Sequence, residues 1–311
     1  KKAKALVGMA VAKSRLLEPL YESKLPVTHS AVVVGGGISG MTAALDIAAQ
    51  GFKVDIIERT GALGGNAAKI HHEEDGKKIS TFAKELADKV SADKNITVHL
   101  NTEVQDVGGF VGNFKIQTSQ GEIETGSVVV AVGAEEYKPT EYLYGQNSNV
   151  VTQLELEEKM ESGNIPAKRI AMIQCVGSRN TDAPYCSRVC CANAIKNAIS
   201  LKKADPSKDI YVFHKDIRTY GFREDLYKEA SSLGVKFIRV PEDKPPMVSQ
   251  DGSALTLTAF DTILGDDITI RPDMVVLSTG IRPHADNEEL AKMLKVPLSK
   301  DKYFLEAHMK L

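Results

Sequence analysis

Cys175, Cys186, Cys190 and Cys191 are the only cysteines of this chain, and all four fall in one stretch, QCVGSRNTDAPYCSRVCC. Thiolate sulfur is a soft ligand, so four together point to an iron–sulfur cluster, zinc or copper(I). The spacing C-x10-C-x3-C-C has no paired short knuckles of the kind structural zinc sites use, and no C-x-x-C of a dithiol redox pair. Four small buried hydrophobes are the bland alternative, and confinement to one stretch argues against it. So few cysteines cannot staple a secreted scaffold of 311 residues, which leaves metal or redox chemistry in a reducing, cytoplasmic setting.

RIAMIQCVGS reads as a strand, which puts Cys175 at a carboxyl edge, where open α/β sheets bind ligands. Pro184 suits the first turn of a helix expected over 184–203. Cys186 and Cys190 would then share a face, with Cys191 about 100° round from it. The four sulfurs converge if the loop 176–185 folds back over them. The helix N-terminus, Arg179 and Arg188 are expected to lower the thiol pKa values.

A second constellation lies upstream. In VVVGGGISG, Gly35, Gly37 and Gly40 form G-x-G-x-x-G between a strand and a helix. The first glycine permits the tight turn, the second admits a pyrophosphate to the backbone, and the third lets helix and strand pack closely. Phosphate would rest on the helix N-terminus. Glu58 ends the next strand, placed to accept from an adenosine ribose. The chain continues ERTGALGGN, with Arg59, Gly64, Gly65 and Asn66, and later VVVAVGA, with Ala131 and Gly133. In that order these segments resemble the extended FAD motifs of the glutathione reductase and thioredoxin reductase superfamily, so FAD is expected rather than NAD.

The elements around these residues follow a repeated plan. Residues 30–58 read strand, glycine turn, helix, strand, and a helix over ISTFAKELADKVSA and several strands follow, taken as an antiparallel excursion on a mostly parallel sheet. From RIAMIQCVGS the plan restarts. The expected fold is α/β: two tandem Rossmann-like, thioredoxin-reductase-like domains with three-layer parallel sheets. The boundaries are an N-terminal helix and linker at 1–28, an FAD-binding domain at 29–148, a second domain carrying the cysteines at 149–285, and a return segment at 286–311. The first helix is expected to pack on the domain that follows it. The second glycine turn, QCVGSRN, retains only Gly177, so a nicotinamide nucleotide is disfavoured there. A net charge of -2 without basic blocks excludes an electrostatic footprint for nucleic acid, and no apolar run approaches the ~20 residues of a membrane span.

With both constellations in view, the chain resembles the A-subunit family of heterodisulfide reductases. The resemblance is carried by GGGISGMTAALDIAAQGF, LGGN, VGAEEYKPTEYLYG, CVGSR, PYCSRVCCANAIKNA, DIRTYGFRED and LSTGIRPHADNEELAKMLKVPL. It implies FAD held by Gly35, Gly37, Gly40, Glu58, Arg59, Gly64, Gly65, Asn66, Val104, Ala131 and Gly133. It also implies a [4Fe-4S] cluster on Cys175, Cys186, Cys190 and Cys191, and flavin-based electron bifurcation with ferredoxin-like carriers and other subunits of such a complex, in an anaerobe. A homodimer within that complex is expected too. Lys196, with Arg218 and Arg223, is the expected source of positive charge near the flavin, Lys196 in a catalytic role. The family's additional ferredoxin-like C-x-x-C-x-x-C segments and its closing G-D strand are missing, so the chain reads as a central portion of such a protein. Two other readings are a stand-alone NAD(P)H-dependent flavoprotein reductase and a non-catalytic scaffold that docks iron–sulfur partners.

Overall fold

The computed structural model describes residues 1–19, 21–22, 24–71, 78–163 and 165–305. Helix α1 (Lys2–Arg15) comes first, and the first unit then runs β1 (Ser30–Val34), α2 (Ile38–Ala49), β2 (Lys53–Ile57), a 3-10 turn at Gly65–Lys69, α3 (Ile79–Ala92) and β3 (Ile96–His99). It continues with β4 (Val104–Phe110), β5 (Asn113–Thr118), β6 (Gly121–Thr125) and β7 (Ser127–Val130). A short β8 (Glu135–Glu136) leads to the second unit: β9 (Val150–Thr152), α4 (Gln153–Ser162), β10 (Arg169–Val176), α5 (Cys190–Ala204), β11 (Asp209–His214), α6 (Glu224–Ser232) and β12 (Lys236–Arg239). The strands β13 (Met247–Asp251), β14 (Ala254–Asp261), β15 (Asp266–Ile270) and β16 (Met274–Thr279) complete it, and β17 (Ile281–Arg282) and α7 (Asn287–Leu294) follow.

Both units solve the same burial problem in the same way. A parallel sheet ordered β3-β2-β1-β7 forms the first, and one ordered β12-β11-β10-β16-β9 the second. Strands such as AVVV in β1 and IAMI in β10 are apolar without alternation, so both faces must be covered. In the first unit, α2 and α3 cover one face through Met41, Ala44, Leu86 and Val90. The other face packs Val32, Val34 and Ile57 on Ile116 of the antiparallel meander β4-β5-β6. In the second, α4, α5 and α6 lie on one side, and the meander β13-β14-β15 places Leu255, Leu257 and Ala259 on the other. Each unit is therefore a three-layer α/β domain.

Two expectations change here. The meander after β3 is a separate layer across the sheet, not an extension within it, because the alternating side chains of β5 supply the apolar face that β1 needs. Helix α1 forms, but none of its residues is buried; Leu6 is 54% and Met9 66% exposed. Its apolar side chains run round the helix and do not gather into one stripe, so it has no single face to dock.

The pairing β17·β8 ties the two crossings between the units together. Beyond it the chain returns to the first unit, where Leu290, Leu294 and Phe304 pack on the same core as β1 and the meander.

Candidate functional site

The glycine loop has the geometry its spacing predicts. Gly35 is left-handed at φ 109°, and a Cβ there would overlap the Ala131 carbonyl. A Cβ at Gly40 would overlap the Gly35 carbonyl, so this glycine sets how closely α2 meets β1. Gly37 differs: it is the N-cap of α2, has no side-chain cap, and a Cβ would meet nothing within 4 Å. The helix end is thus open on the side that a Gly37 side chain would take, which is where an anion could reach the first-turn N–H groups. Gly64, left-handed at φ 117°, donates from N to the Gly36 carbonyl at 2.8 Å, and Gly65 lies close to the Gly37 backbone. The glycine pair of LGGN thus lets the second loop cross the first.

Glu58 is buried, and its carboxylate accepts from Gly36 N at 2.7 Å and from the Thr60 N and Oγ1 at 2.8 Å each. These bonds fix it at the rim of a cleft of about 1030 Å³, and the cleft is also lined by Arg59, Asn66, Val104, Ala131 and Gly133. Arg59 pairs with Asp286 at 2.8 Å, and Asn66 Nδ2 donates to the Ala134 carbonyl at 2.7 Å. His284, which meets the Val132 carbonyl at 3.0 Å, comes from the end of the second unit, and Asp286 opens the return segment. Sequence reasoning passed over both, although they lie in the quoted motif LSTGIRPHADNEE.

The thiol site lies at the carboxyl edge of the second sheet. The β10·β16 register shifts between Ile173 and Val176, and Cys175 within that bulge is left-handed at φ 62°. A non-glycine residue held there is strained, and a bulge of this kind re-aims a side chain. Helix α5 starts at Cys190, not at 184, because Arg188 is left-handed at φ 63° and Ser187 Oγ is engaged by the Ile281 N–H at 3.0 Å. Cys186 is consequently in the loop, not on a helical face with Cys190. The Arg188 N–H donates to its Sγ at 3.4 Å. Cys190 and Cys191 occupy the first turn of α5, both buried.

The four thiols act on one another electrostatically, so they form one group. Among the described residues no three His, Cys, Asp or Glu side chains close around a single ion. The expected general lowering of thiol pKa does not hold. Burial pushes the Cys175 thiol up to about 11. Cys190 is also raised, because its thiol hydrogen bonds to Cys191, and Cys191, which accepts that bond, is lowered to about 7. Beside the group, Gln174 and Ser178 keep buried polar side-chain atoms with no protein partner. Soft donors, an N–H directed at sulfur and unpaired polar groups together fit a thiolate-held cluster.

Comparison with known proteins gives the similarities of the chain. Residues 29–178 match the pyridine nucleotide-disulphide oxidoreductase family. The whole chain aligns at 31% identity with 62% of the A chain of the H(2):CoB-CoM heterodisulfide,ferredoxin reductase of Methanothermobacter thermautotrophicus. It aligns at 30% with 62% of the iron-sulfur A chain of the CoB--CoM heterodisulfide reductase of Methanocaldococcus jannaschii. Over its whole length the chain is similar to the A subunits of heterodisulfide reductases. It spans 62% of the length of these relatives. In fold, this A-subunit relative is similar to thioredoxin reductase of Lactococcus lactis, with TM-score 0.64, 19% identity and coverage of 90% and 86% of the two chains. The thioredoxin reductase of T. acidophilum gives TM-score 0.62 at 17% identity, covering 89% and 84%.

In this A-subunit relative the two sites share a wall. Glu135 and Glu136 line the cleft, and the next residue, Tyr137, lies over Gly177, two positions beyond Cys175. The space a Cβ at Gly177 would take is filled by the Tyr137 ring, with the Arg282 guanidinium 5.0 Å from the ring centre. A second link passes through Lys196. Its ammonium is 2.7 Å from Glu157 Oε1, and the other oxygen of Glu157 accepts from the His71 N–H at 2.8 Å. Helix α4, which carries Glu157, packs on the Gly65–Lys69 turn of the cleft. Arg223 lies on the exposed turn Gly221–Arg223, and Arg218 lies at the sulfurs, not at the cleft.

Glu157 is fully buried, so Lys196→Met would leave a carboxylate without its cation. Removing one partner of such a pair costs about 3–5 kcal/mol. Urea unfolding at neutral pH should read that loss.

Proposed function

We propose that the chain is the flavin-bearing electron-transfer portion of a heterodisulfide-reductase-type complex, an oxidoreductase that takes part in flavin-based electron bifurcation. The observation that carries the reading is the shared wall, in which one three-residue segment, Glu135–Tyr137, runs from the dinucleotide cleft to the thiol loop. FAD would be held by Gly35, Gly37, Gly40, Glu58, Arg59, Gly64, Gly65, Asn66, Val104, Ala131 and Gly133, and a [4Fe-4S] cluster by Cys175, Cys186, Cys190 and Cys191. Bound there, the flavin supplies two-electron uptake and the cluster one-electron carriage.

The protein's own part is binding and orientation. The α2 N-terminus at Gly37 would receive the pyrophosphate, and the Glu58 carboxylate, kept in place by the Gly36 and Thr60 N–H groups, would accept from ribose hydroxyls. Lys196 is paired with the buried Glu157 and does not line the cleft; through Glu157 it would hold helix α4 behind the Gly65–Lys69 turn, a positioning part and not the catalytic one expected of it. The four cysteines supply the soft sulfur donors that a multi-iron cluster uses, and their spacing has no paired short knuckles of the structural zinc kind. The names of the relatives speak of ferredoxin and of the CoB-CoM heterodisulfide. Ferredoxin-like carriers and sister subunits of such a complex are the partners we infer, in the cytoplasm, and among the described residues no helix is long and apolar enough to cross a membrane.

Tyr137 occupies the place on Gly177 where a second nucleotide would approach, which speaks against the stand-alone NAD(P)H reductase. Protein purified without oxygen should release FAD on denaturation, and NADH or NADPH should fail to bleach the bound flavin within minutes. Rapid bleaching would favour the reductase, and a flavin-free protein the docking scaffold.

A further inference from the structure

We propose that His284 takes up a proton when FAD enters the cleft, so that cofactor affinity and imidazole protonation are coupled; the proposal rests on the FAD reading above. Neither glycine motif contains this residue. The pairing of β17 with β8 sets Arg282 opposite Glu135, and that register carries His284 onto the cleft wall. Its Nε2 lies 3.0 Å from the Val132 carbonyl oxygen. A carbonyl oxygen can only accept, so Nε2 keeps its hydrogen and Nδ1 is the atom at which a proton comes and goes. Nδ1 faces Glu135 Oε2 at 3.7 Å, and the imidazole side chain is only 17% exposed.

The charge of the surrounding wall gives that proton its consequence. Among the described residues, the carboxylates of Glu58, Glu103, Glu135, Glu136, Asp286 and Glu289 line the cleft, against the fixed cations Arg59, Lys69 and Lys138. Arg59 is held by Asp286 at 2.8 Å, and Lys138 by Glu136 at 3.1 Å. Acid is therefore in excess on a wall that would receive a dianionic pyrophosphate. His284 is the only imidazole among the described residues of that wall, and imidazole is the side chain that gains charge near neutral pH. Protonated, it offsets part of the acid and forms an ion pair with Glu135, which ties the end of the second unit to β8. Both effects favour the bound cofactor. By reciprocity, bound FAD raises the proton affinity of His284 by the factor by which protonation raises the affinity for FAD. A proton is taken up on binding, and affinity falls as pH rises. The pyrophosphate diester stays ionised near neutral pH, so the dependence belongs to the protein.

The test is titration calorimetry of the flavin-free chain with FAD, in buffers of different ionisation enthalpy, which counts the protons taken up. For a coupling of about tenfold, uptake should peak at about half a proton per FAD, and Kd should be up to about tenfold smaller at about pH 5.5 than at about pH 8.5. His284→Gln keeps an N–H for the Val132 carbonyl and has no proton to exchange, so it should lose the uptake and the pH dependence together. A merely structural role would weaken binding equally at both pH values. Undiminished uptake in His284→Gln, or a wild-type chain that binds FAD without uptake, would overturn the proposal. If His284→Gln fails to fold, Glu135→Gln decides alone: without the facing carboxylate the fall in affinity should move to lower pH, and an unmoved profile overturns it. A wild-type chain that binds no FAD at either pH overturns the FAD reading itself, a result distinct from FAD bound without a proton.

Discussion

Cys190→Ala is expected to abolish iron binding while leaving FAD in place. Cys190 is buried in the first turn of α5 beside Cys191, so on the proposed reading its loss takes one of four sulfur ligands from the cluster. The substitution deletes one sulfur and adds no bulk, and α5 still packs through Ala194, Ile195 and Ala198, so the second unit should keep its fold. The flavin cleft draws none of its lining from this helix. Iron per chain should fall from about four to near zero, and the flavin absorption should remain. Retention of iron at the wild-type level would remove Cys190 from the ligand set.

Gly37→Val is expected to abolish flavin binding without unfolding the protein. Gly37 has φ -74° and ψ -177°, an extended conformation open to any residue, and the space beside it is empty. A valine there costs the fold little but fills the place where a pyrophosphate must meet the α2 N-terminus. Affinity for FAD should fall on the order of 100-fold or more, since close backbone approach is what that glycine provides. Gly40→Ala makes the contrast. Its methyl would overlap the Gly35 carbonyl, so the melting temperature should fall together with flavin content. Calorimetry beside flavin fluorescence separates the two cases. Equal loss of stability in both variants would mean that the space at Gly37 is not a ligand site.

What the sequence made legible is what is encoded locally. The turn at Gly35, the helix start at Gly37 and the packing glycine at Gly40 each follow from backbone sterics within a few residues, and Glu58 follows from strand length. The run ISTFAKELADKVSA became α3 (Ile79–Ala92) because its apolar positions repeat at helical spacing. The thiol loop was less readable. Pro184 suggested a helix start, but Arg188 turns left-handed and Ser187 bonds across to Ile281, a contact between residues 94 positions apart. The pKa expectation failed for a similar reason. Charge next to cysteine in sequence says nothing of burial, and burial with the bond between Cys190 and Cys191 outweighs the helix end. Tyr137 on Gly177, Glu157 under Lys196 and Arg218 at Cys186 are all tertiary pairings between distant segments. No period or spacing in the chain announces them.

The decisive measurement is elemental: iron, acid-labile sulfide and zinc per chain in protein prepared without oxygen, with the electron paramagnetic resonance spectrum after dithionite reduction. If the four thiols at the edge of the second sheet are the seat of a one-electron carrier, about four iron and four sulfide should be found, with a low-temperature signal that Cys190→Ala removes. Zinc in place of iron, or metal-free thiols that alkylate freely in the native protein, would contradict it.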